Sequence, residues 1–95
     1  MEKSVKYSIL LELYGKLLTE KQYELLDYYY NQDIGLSEIA ENLGITRQAV
    51  RDNLKKGENN LDEFESKLQL MRKINEIEEL EIDKKSKEKI RKILI

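Results

Sequence analysis

The 95-residue chain contains no cysteine, no histidine and no proline. The first two absences remove disulfides, thiolate nucleophiles, imidazole acid/base chemistry and every Cys/His zinc spacing. Without proline, and with glycine only at 15, 35, 44 and 57, little interrupts a helical pattern. No apolar run approaches the roughly 18 residues that would span a bilayer. Met1-Glu2-Lys3 leads into a mixed polar segment, not an apolar signal core. An excess of either charge is lacking too: 17 Lys and Arg face 19 Asp and Glu, a net charge of −2. The whole-molecule field is therefore weak, which argues for solubility and for no particular partner. Neighbouring acids such as Asp62-Glu63 and Glu78-Glu79 diverge by about 100° on a helix, so they do not converge on a substrate. No pair of glycines is close enough to build a phosphate-cradling loop. The expectation is one all-α domain over residues 1–95, cytoplasmic, not an enzyme, and with neither cofactor nor metal.

What is present is helical periodicity. Tyr7, Leu10, Leu11 and Tyr14 repeat at i, i+3, i+4, i+7, and Ile9 and Leu13 widen that stripe, with Gly15 as its stop. Thr19 and Gln22 have the form of a capping box opening a second helix through Leu25, Leu26, Tyr29 and Tyr30. The tract 31–35 reads as a turn. Leu36, Ile39, Ala40 and Leu43 predict a short third helix over about 37–43 with Ser37 near its start as cap, ended by Gly44. Thr46 then caps a fourth helix with Ala49, Val50 and Leu54 inside and Arg47, Gln48, Arg51, Lys55 and Lys56 outside.

Beyond it, Val50, Leu54, Gly57, Leu61, Phe64, Leu68 and Met71 alternate spacings of four and three. That seam predicts a helix continuous through Gly57 to about residue 79, with a break at 57–60 as the competing reading. At Leu70, Ile74 and Ile77 the stripe shifts by one position, so any supercoil drifts or stops there. The seam exceeds what a small core covers, so it is buried either against a second copy, a homodimer through the 50–80 helix, or under the first two helices. Asp83 caps a last helix with Ile90, Ile93 and Leu94 inside and six basic residues outside. This segment can reach phosphate, attract an anionic membrane surface, or simply be solvated.

The informative stretch is 36–56, LSEIAENLGITRQAVRDNLKK. Ala40 leaves room for a crossing helix, Gly44 suits a left-handed turn, and Ile45 and Val50 fill the wedge, the spacing of a helix-turn-helix. In such a unit the second helix enters the DNA major groove. Thr46, Arg47, Gln48 and Arg51 then face base edges, where arginine suits guanine and glutamine suits adenine, while Ser37, Lys55 and Lys56 suit phosphate. Residues 1–45 carry four basic and eight acidic groups, whereas 46–56 carry four basic residues against Asp52 alone. The alternative is a helix-turn-helix used only for packing, with a solvated basic face. The three tyrosines at 28–30 must point in different directions on a helix, one packing inward and another half-exposed.

Leu18-Thr19-Glu20-Lys21-Gln22 together with Leu36 through Leu54 resembles region 4 of bacterial sigma factors. With Asp27-Tyr28-Tyr29-Tyr30 and the long charged helix after the motif, the chain more closely resembles the YlxM-like helix-turn-helix proteins, over most of its length. That resemblance implies a DNA-binding regulator whose link to the signal recognition particle pathway comes from gene neighbourhood. It also leaves room for a protein that binds the particle's RNA or GTPase instead. Sigma recognition helices often carry glutamate where Gln48 stands, so the sigma promoter element does not transfer. The sigma regions that melt promoters and bind core polymerase have no room in this length.

Overall fold

In the computed structural model, which describes residues 2–95, the apolar stripes assemble six α-helices and, among the described residues, no strand. They are α1 (Lys3–Tyr14), α2 (Glu20–Leu26), α3 (Leu36–Leu43), α4 (Arg47–Leu68), α5 (Leu70–Glu78) and α6 (Lys84–Leu94). A 3₁₀ turn, Gly15–Leu17, joins α1 to the approach of α2, and a π turn, Asp27–Asn31, extends α2. Tyr7, Leu10, Leu11 and Tyr14 of α1, Leu25 and Leu26 of α2, Ile39 and Ala40 of α3, and Val50, Leu54 and Leu61 of α4 form one core.

The local caps follow the sequence at three of the expected places. Thr19 Oγ1 accepts from Gln22 N at 3.2 Å, although Gln22 turns its own side chain away to accept from Asn60 Nδ2 instead of closing the box. Thr46 Oγ1 accepts from Ala49 N at 3.0 Å, and Asp83 Oδ1 from Ser86 N at 2.7 Å. Gly44 closes α3 in the left-handed conformation at φ 67°, and Ile45 N returns to Ala40 O at 3.1 Å. Ser37 is a correction: α3 begins at Leu36 with Gly35 as its N-cap and no side-chain bond, so Ser37 sits inside the first turn. Gly15 ends α1 as expected, though with right-handed helical angles; its missing side chain serves close packing, because a Cβ would stand 2.6 Å from the Tyr23 ring.

Helix α4 runs unbroken through Gly57. It does not reach residue 79. It stops at Gln69, which takes φ 56°, a conformation that costs a side-chain-bearing residue about 1–2 kcal/mol. What holds the break is a cluster brought from elsewhere. The Tyr14 hydroxyl donates to Glu65 Oε1 at 2.6 Å and accepts from Leu70 N at 3.1 Å, while Glu65 accepts from Met71 N at 3.0 Å and Arg72 N at 3.1 Å. Three of the free N–H groups that open α5 are thus satisfied. The same side of α1 makes further pairs with α4: Tyr7 donates to Asp62 at 2.8 Å, and Lys3 lies 3.4 Å from the buried Glu58.

Because α1 and α2 cover α4, its seam from Val50 to Leu61 is buried within one chain, so these positions are not open to a second copy; Leu68 remains exposed. In α6, Ile93 at 85% and Leu94 at 37% are exposed instead of inward, and Ile90 is half-buried. The α2 pattern ends early: Gln32 N bonds Asp27 O at 3.0 Å, an i+5 step that widens the chain through the tyrosines. All three tyrosines are half-buried.

Two outcomes follow from these contacts. Gly44→Ala lowers unfolding free energy in urea by about 1–2 kcal/mol, because alanine is strained at positive φ. Gly35→Ala, at φ −72° with open space around a Cβ, changes it by less than about 0.5 kcal/mol; equal effects contradict the turn geometry. Burial, reinforced by the Glu65 hydrogen bond, pushes the Tyr14 phenol from 10.0 up to about 12. A raised phenol favours the neutral form in the folded state, so its contribution is complete below pH 10 and is lost as pH rises towards 12. Urea titrations across that window give a shallower fall for Tyr14→Phe than for the native chain, and identical slopes contradict the assignment.

Candidate nucleic-acid interface

The exposed start of α4 is built by three local devices: the left-handed Gly44, the Thr46 cap, and Val50 anchored in the core. With about 3.6 residues per turn, α4 presents two outward rows at spacings of four, Arg47-Arg51-Lys55 and Gln48-Asp52-Lys56. All six side chains are exposed, as are Ser37 and Thr46. The Thr46 hydroxyl oxygen is occupied by the Ala49 N–H, which leaves its own proton to donate outward.

The sequence-chosen residues do not form one uniform cluster. Arg51 and Lys55 border a groove of about 440 Å³ whose other wall holds Lys3, Tyr29, Tyr30 and Leu36. Lys56 lines a separate groove of about 500 Å³ with Lys21, Glu24, Leu43 and Ile45. Ile45 was expected to fill the wedge between the helices, but it is 39% exposed and lines that second groove, whereas Ala40 and Val50 are buried in the core. Ser37 occupies the first turn of α3, exposed, and touches no other member of the set by hydrogen bond among the described residues.

Asp52 is the residue that counting charges misjudges. It accepts from Gln48 Nε2 at 2.9 Å, so the second outward row begins with a glutamine–aspartate pair and not a free amide. The i+4 spacing already contained this pairing. Chemically the two rows differ: the first carries only cations, suited to guanine edges or phosphate, and the second offers both donors and acceptors, suited to mixed base edges. No helix among the described residues is long and apolar enough to cross a membrane. No group of three or more potential metal ligands occurs among them.

Comparison with known proteins bears on the same helix pair. A family model described as "Putative helix-turn-helix protein, YlxM / p13 like" matches residues 1–94. The chain is 52% identical over 79 residues to the UPF0122 protein of Clostridium kluyveri, covering 83% of this chain and 71% of that one. It is 51% identical over 73 residues to the UPF0122 protein of Acetivibrio thermocellus, covering 77% and 62%, and 48% identical over 69 residues to that of Malacoplasma penetrans, covering 72% and 64%. Matched over nearly its whole length, the chain belongs to UPF0122, the YlxM/p13-like helix-turn-helix family.

Proposed function

We propose that this protein binds double-stranded DNA through the N-terminal half of α4 and acts as a transcriptional regulator. One observation carries the reading: the turn at Gly44 and the cap at Thr46 leave Arg47, Gln48 and Arg51 exposed together on the first turns of a helix whose next turns are locked into the core. In a helix-turn-helix those turns face base edges. Arg47 and Arg51 read guanine, Gln48 reads adenine from beside Asp52, Thr46 offers its hydroxyl proton to a base edge, and Ser37, Lys55 and Lys56 meet the phosphates. The acidic residues elsewhere on the chain keep overall phosphate attraction modest, so discrimination depends on base contacts. Two copies would suit a paired half-site, joined through surfaces beyond Leu61, since the earlier seam is occupied within the chain.

Selection from a random duplex library at ~150 mM salt tests this, because phosphate attraction alone is suppressed there. The expected result is an enriched motif. Arg47→Ala lowers affinity for it by about 1–3 kcal/mol and relaxes the preference at one position. Lys55→Ala weakens all duplexes alike and flattens the dependence of log affinity on log salt by about 0.9. Equal loss on every sequence from Arg47→Ala would sink its base-reading role. Absence of enrichment by the folded protein overturns the DNA reading in favour of an interaction with signal recognition particle RNA or its GTPase.

A further inference from the structure

We infer that the groove beside α4 is a track for a DNA phosphodiester strand, with Lys3 and the Tyr29 hydroxyl as contacts lying outside the helix-turn-helix. The inference rests on the DNA reading and names a strand contact that the motif alone does not contain. The groove lies between α4, the beginning of α1 and the π turn, with Lys3 and Tyr29 facing the Arg51-Lys55 row.

Charge and donor geometry favour phosphate as the occupant. Three cations border the groove, and the two carboxylates that accompany them are already engaged: Asp52 accepts from Gln48, and the buried Glu58 lies 3.4 Å from Lys3 Nζ and against Tyr30. Glu58 fixes the Lys3 ammonium without exhausting it. An ammonium has three donors, and the Lys3 side chain is 69% exposed, so donors remain for an external oxygen. Tyr29 is held edge-to-face against Tyr30, with ring centroids 5.0 Å apart, and its hydroxyl makes no hydrogen bond among the described residues. Point-charge lysines and a phenol donor match phosphate oxygens, which such groups bind without reading sequence. The π turn that places Tyr29 here is a backbone irregularity of the kind that recurs at functional sites.

The test measures equilibrium binding of the full chain to a random-sequence duplex pool and to a duplex enriched from it, at several salt concentrations. At each salt concentration Lys3→Ala weakens both duplexes by the same factor, and it flattens the log–log salt slope by about 0.9, so a fourfold rise in salt costs about 3.5-fold less affinity than in the native chain. Lys3→Arg keeps the native slope, and Tyr29→Phe weakens both duplexes without changing it. Replacing single phosphates with uncharged methylphosphonates weakens the native chain at a position where Lys3→Ala is indifferent. If Lys3→Ala leaves the slope unchanged, or affects only the enriched duplex, the track is overturned while the DNA reading stands. Failure of the native chain to bind either duplex overturns both. Should Lys3→Ala unfold because Glu58 loses its partner, Tyr29→Phe and the methylphosphonate scan on the native chain decide: unchanged affinity in both overturns the track.

Discussion

Leu26 of α2 is fully buried against Gly57 of α4, where an added Cβ would stand 2.8 Å from Leu26 Cδ1 and 3.2 Å from its Cγ. Glycine inside a helix costs about 1 kcal/mol, and complete burial of a leucine returns about 1.5–3 kcal/mol, so this close approach favours the glycine. The consequence extends well beyond one contact. With α2 seated at Gly57, α4 remains a single helix from Arg47 to Leu68, and its exposed beginning is rigidly continuous with the buried Val50, Leu54 and Leu61. The residues on its outward rows are held by the core of the domain instead of by a mobile loop.

Helix α1 reinforces that arrangement in two chemically distinct ways. Its apolar stripe covers α4, and its polar groups meet acids of α4, with Lys3 near Glu58, Tyr7 on Asp62 and Tyr14 on Glu65. Buried phenols and carboxylates are costly when unpaired, so these contacts specify how the two helices align. They also explain how a weakly charged protein can present a cationic edge. Several acids near α4 are turned towards α1, whereas Arg47, Arg51 and Lys55 point outward. A total charge of −2 conceals this separation.

Features with local causes were legible in the sequence. The stripe of α1, the turn at Gly44 and the caps at Thr46 and Asp83 each depend on residues within a few positions. The phase of the seam across Gly57 likewise indicated a continuous α4, although the same pattern carried that helix on to about residue 79, past its actual end at Leu68. The break itself at Gln69 was not legible, because nothing in a glutamine signals a left-handed residue. It is supported by the Tyr14 hydroxyl from α1, a contact between distant parts of the chain. Ser37, Ile45 and Ile93 failed for a related reason: residue type suggested a cap or a buried position, but tertiary packing decided otherwise. Sequence pattern pointed to Arg51 and Lys55, whereas Lys3 and Tyr29 come to border the same groove only once α1 and the π turn pack beside α4.

Amide hydrogen exchange along α4 in the native state tests most directly whether its exposed start and its buried seam form one body. The account predicts that the amides from Val50 to Leu61 exchange through global unfolding, with equal opening free energies and no interruption at Gly57. A segment around residues 57–60 that opens well below the global free energy, leaving the start of α4 to move independently of the core, would contradict it.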